Sequence, residues 1–126
     1  MKGATAIVQW VARLSGLTLI VLGVCFWVGR ALSLVPLHML VGLLFVVALW
    51  VLAGMAMRAK VGSAAVLGAV MWGIVVLALG MTQRSLLPGS MHWIVRVLHL
   101  IVGLVAMGTA ERLAERIKSS PVVQPV

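Results

Sequence analysis

The sequence predicts an all-α, polytopic membrane protein built as a bundle of four transmembrane helices. Three observations predict it. The 126 residues are 63% hydrophobic and only 10% charged, whereas soluble domains run near half apolar and a quarter charged. The apolar residues form four long runs, and at about 20 residues per crossing four spans use most of the chain. The breaks between runs carry Pro36, Gly62, Pro88 and Gly89, which interrupt or start helices.

Charge adds orientation rather than a nucleic-acid partner. Ten Lys and Arg against two Glu give a formal net charge of +8, but the basic residues stand at the ends of apolar runs. Topology and contact with anionic headgroups account for them, and no nucleic acid is expected. Lys2, Arg13, Arg58, Lys60, Arg112, Arg116 and Lys118 fall on one side of a four-span chain, and Arg30, Arg84 and Arg96 on the other. The positive-inside bias then puts both termini in the cytoplasm, in what reads as a bacterial inner membrane. The single Cys25 lies mid-segment and reads as a small packing residue.

Helix 1 is expected over 5–28. Met1-Lys2 before an apolar run looks like a signal peptide, but Arg13 interrupts the run and no small-x-small cleavage site follows, so it reads as a retained signal-anchor. Arg13 is expected to snorkel to the near interface. Ala12, Gly16 and Gly23 make a stripe for close helix approach, with Trp10 and Trp27 toward the two ends. Helix 2, over 36–57, opens on Pro36 and carries no charge before Arg58.

Helix 3, over 63–82, contains no ionisable residue. Its Gly68, Trp72 and Gly73 read as packing features, with lining a cofactor as a second role for Trp72. A loop over 83–90 follows. Helix 4 is expected over 91–117 and ends in a charged stretch, Glu111 to Arg116, that reads as a solvated terminus. Residues 1–118 thus form one membrane domain and 119–126 a disordered tail.

One motif occurs twice. Leu37-His38-Met39-Leu40-Val41-Gly42-Leu43 returns as Leu98-His99-Leu100-Ile101-Val102-Gly103-Leu104, which suggests two repeated hairpins. The chain has only three His, and an ionisable residue inside an apolar span is a functional candidate by default. Helices 2 and 4 run in the same direction, and both histidines precede a basic cluster by similar lengths of chain, so they sit at comparable depth. Imidazole suits iron, and two histidines on facing helices can clamp a porphyrin. His38 and His99 are therefore the candidate metal ligands. Gly42 and Gly103 lie one turn beyond them, where a bulkier side chain would meet a flat ligand. His92, Arg96 and His99 share one helix face, so Arg96 and His92 are candidates for holding the acidic groups of a haem.

These His-x-x-x-Gly motifs on an all-helical span resemble the four-helix b-type cytochromes of respiratory membranes. They are also similar to the haem-bearing anchor subunits of succinate dehydrogenase. The basic and acidic residues that follow the glycine in those anchors have no counterpart here. The resemblance implies haem b as cofactor and electron transport as activity, with quinone and other membrane redox subunits as partners.

Other chemistries find less material. Zinc wants three or four protein ligands, and the spans hold no buried carboxylate beside the histidines. A proton-coupled multidrug transporter needs an acid in mid-membrane, whereas Glu111 and Glu115 lie at a helix end. No nucleophile triad, phosphate loop or catalytic carboxylate pair is present, so independent enzymatic activity is not expected. The competing class is an accessory or structural subunit of a larger membrane complex, or a subunit that binds pigment or quinone through the same histidines.

Overall fold

The computed structural model describes residues 1–122. The elements in order are α1 (Lys2–Trp27), a single 3-10 turn (Leu32–Leu34), α2 (Val35–Arg58), α3 (Ser63–Thr82) and α4 (His92–Ser119). All four helices are long and apolar enough to cross a membrane. The shortest, α3 with 20 residues, reaches about 30 Å, the thickness of a hydrocarbon core. Large apolar side chains such as Ile7, Leu17, Leu40, Leu67 and Met81 point outward, as lipid-facing residues do.

Local chemistry sets the helix ends. The Arg30 and Gly29 amides close α1 by donating to the Cys25 and Phe26 carbonyls at 2.8 and 3.0 Å. Gly29 takes the left-handed conformation at φ 74° that this closure requires. α2 ends the same way, with the Val61 amide donating to Ala56 and the Lys60 amide to Met57. Here the left-handed residue is Lys60, at φ 55°. Pro36 occupies the first turn of α2, where its missing N–H leaves nothing unpaired.

Each helix packs against its neighbours in sequence, and α4 returns to α1. α2 and α4 also touch across the diagonal, whereas α1 and α3 do not. The contiguous core lies in the half of the bundle nearest the chain termini. Leu49, Leu52 and Ala56 of α2 meet Ala110, Leu113 and Ile117 of α4 there, all 2% exposed or less. Alanines let the backbones approach closely, the usual device of membrane helix interfaces. Gly73 serves the same end: the Trp50 indole lies where its Cβ would stand and donates to the Val70 carbonyl at 3.3 Å.

A polar clamp ties the terminal ends together. The Arg13 guanidinium donates to both Glu111 oxygens, at 2.6 and 2.7 Å, and Gln9 donates to Glu111 at 2.6 Å. Lys118 completes it by donating to the Gln9 side-chain carbonyl at 2.7 Å. The structure adds a partner to two sequence expectations: Arg13 pairs with Glu111, their side chains 39% and 31% exposed, while Arg112, Glu115 and Arg116 of the same stretch are exposed. The tail expectation changes. α4 continues through Ser119, and the Ser120 hydroxyl, 8% exposed, donates to the Ala59 carbonyl at 2.6 Å. Residues 123–126 of the expected tail lie outside the described residues.

Candidate functional site

The half of the bundle away from the termini is built differently. Above Phe45 of α2 and Val102 of α4, few side chains are buried, and the helices border a half-open cavity of about 560 Å³. That volume falls in the range of small-molecule and cofactor sites. His38, Gly42, His92, Arg96, His99 and Gly103 all line it. The helical spacing explains the α4 set, since steps of four, three and four keep one face inward. Trp72 does not line this cavity. It stands in a small cleft at the opposite end of α3, so its cofactor-lining role is not realised.

The two imidazoles come together from different helices. Their ring centres are 6.4 Å apart with planes inclined at 49°. Nδ1 of each is buried without a hydrogen-bond partner. A buried orphan polar group costs about 1–3 kcal/mol and calls for an explanation. Direct hydrogen bonding between the rings would bring their centres to about 5 Å. An imidazole nitrogen binds a first-row metal at about 2 Å and its ring centre lies about 1 Å behind, so two imidazoles on one metal atom have centres about 6 Å apart. The observed separation fits the second arrangement.

The surroundings suit a flat, bulky ligand. His38 lies against Gly23 of α1 and His99 against Gly80 of α3, with ring atoms 4.0 and 3.5 Å from where each glycine's Cβ would stand. In each hairpin, then, the second helix supplies the histidine and the first a glycine beside it. Phe26 meets the His38 ring edge-on at 5.4 Å. Nothing lies within 4 Å of a Cβ added at Gly103. Phe45 and Met107 floor the cavity against the core, and Met107 lies over Gly16, 2.7 Å from its Cβ position.

The mouth is basic. Arg84 and Gln83, just beyond α3, join Arg96 and His92 on the cavity wall. His92 is held there by a 3.2 Å hydrogen bond between Nδ1 and the Leu86 carbonyl. Arg84 lies in the loop the sequence predicts, but its place on the cavity wall, and the pairing of Gly23 and Gly80 with the histidines, emerge only in the fold. Their only signal was glycine inside apolar helices, which any close packing would give.

Among the described residues no three His, Cys, Asp or Glu side chains converge as a metal-ion cluster. A free zinc-type ion would therefore lack ligands. His38 and His99 give two imidazoles close together on the cavity wall, a donor pair that could hold a metal bringing further donors of its own. Comparison with protein-family models, with curated proteins and with solved structures finds no match for this chain.

Proposed function

We propose that this protein is a small integral-membrane b-type cytochrome, in which His38 and His99 would hold one haem. The observation that carries the reading is the histidine pair, with ring centres 6.4 Å apart and each Nδ1 buried without a partner, on the wall of a cavity of about 560 Å³. Bound haem would supply one-electron redox chemistry, placing the protein in a membrane electron-transfer chain with quinone or another redox subunit as partner.

The chain's own residues have definable tasks in this reading. α2 and α4 hold the imidazoles at matched depth. Gly23, Gly80, Gly42 and Gly103 keep the space around them free of side chains. Phe45 and Met107 seal the floor, and the apolar walls exclude water. Arg84, Arg96 and His92 place positive charge and hydrogen-bond donors at the mouth, where the carboxylates of a haem would be met by charge-assisted bonds. The excess of basic residues at the terminal end supports cytoplasmic termini, by the positive-inside bias.

Titrating haem-free protein in detergent with haemin tests this. Because one cavity holds both histidines, the expected outcome is saturation at one haem per chain, with His38→Ala and His99→Ala each losing tight binding. Saturation that is unchanged in both variants would overturn the assignment.

A further inference from the structure

At the opposite end of the molecule, a second cleft of about 170 Å³ lies between α3 and α4. We propose that it binds the phosphate headgroup of an anionic phospholipid. Arg112 and Arg116 on α4 line it together with Gly68 and Trp72 on α3. Spacings of three and four on both helices keep these residues on the facing sides.

The two arginines are available. The chain has only two acidic residues. Glu111 is engaged by Arg13 and Gln9, and Arg13–Glu111 is the ion pair found among the described residues. Both Arg112 and Arg116 are exposed, and neither guanidinium makes a hydrogen bond among the described residues. One turn apart on α4, they bring two guanidinium groups to one cleft, and the donor fork of each matches phosphate oxygens.

The cleft also has a direction. Arg116 lies three residues from the end of α4, level with Ala65 in the first turn of α3, whereas Trp72 lies about 10 Å deeper along α3. The charged end is thus at the bundle's edge and the apolar end within the span. Gly68 between them has nothing within 4 Å of its Cβ position, which leaves a channel the width of a side chain. A free phosphate would use only the arginines. A phospholipid would use both ends, with an acyl chain running over Gly68 toward Trp72. Basic pockets between membrane helices recognise acidic headgroups in this way.

Native mass spectrometry of the full chain in detergent tests the proposal, with phosphatidylglycerol, phosphatidylcholine and inorganic phosphate as probes. Phosphatidylglycerol should be retained in preference to phosphatidylcholine. Replacing both arginines, R112Q with R116Q, should weaken its binding about thirtyfold, at about 1 kcal/mol for each basic residue near an anionic surface. Gly68→Leu, which fills the channel and leaves the arginines in place, should weaken phosphatidylglycerol but not inorganic phosphate. Equal retention of the two lipids, or full retention by the double arginine variant, would overturn the site. Inorganic phosphate displacing phosphatidylglycerol at equal concentration, with no effect of Gly68→Leu, would overturn its assignment to a lipid. Circular dichroism of each variant checks that the helices remain, and Arg58→Gln, outside the cleft, should leave lipid retention unchanged.

Discussion

The rings of His38 and His99 stand 6.4 Å apart on two helices that are tightly packed one half-length further down. Contact between α2 and α4 at Leu49, Leu113 and Ile117 fixes the axes, so the separation at the other end follows from how the bundle opens. Side chains do not fill that opening, and two polar rings face it without partners. The first consequence concerns stability. In haem-free protein, His38→Leu and His99→Leu remove an orphan nitrogen each and should raise stability by about 1 kcal/mol, measured by thermal unfolding in detergent. A packing role predicts the opposite sign.

Gly80 and His99 supply a second prediction. A Cβ at Gly80 would already stand 3.5 Å from the His99 ring, so Gly80→Leu must displace that ring while leaving the helix apolar. The variant should keep its helical circular dichroism and bind haemin at least about tenfold more weakly, a loss of about 1.4 kcal/mol. Gly54→Leu has open space at its Cβ and should bind normally.

Gly73 is a packing test independent of the cavity. Its replacement by Ala drives a methyl group into the Trp50 indole, and overpacking of this kind costs about 1–3 kcal/mol. Trp50→Leu should recover part of the loss in the double variant, read as the midpoint of thermal unfolding. Independent, additive effects would contradict the contact.

The clamp at the terminal end is expected to matter more than the charges around it. Glu111→Leu strands Arg13 and Gln9 at once and should lower the unfolding midpoint more than Arg58→Leu, whose side chain is exposed. Glu111→Gln, which retains one acceptor, should fall between them.

The four spans were legible because hydropathy over some 20 residues is a one-dimensional signal and needs no knowledge of partners. The inward face of α4 was legible for a related reason: His92, Arg96, His99 and Gly103 are spaced at helical period, and the structure puts all four on one cavity. What the sequence withheld depends on how one helix is rotated and slid against another. Trp72 reads as a packing residue with cofactor lining as a second role. Because α3 runs antiparallel to α4, it is instead level with Thr109, ten residues and about 15 Å beyond His99. Gly23 and Gly80 meet the histidines only once the hairpins are packed. The Arg13–Glu111 pair joins residues 98 positions apart, although a chain with only two acids offered Arg13 few other choices. The 3-10 turn at Leu32–Leu34 was read only as a connection, since three residues carry no periodic signal.

The most direct measurement is the dithionite-reduced minus oxidised absorbance spectrum of protein purified from cells supplied with ample haem, with the haem counted as its pyridine complex. The expected result is a sharp b-type α-band at one haem per chain, lost in His38→Ala and in His99→Ala. A flat spectrum from folded protein, or a band that survives both substitutions, would contradict the assignment of His38 and His99 as haem ligands.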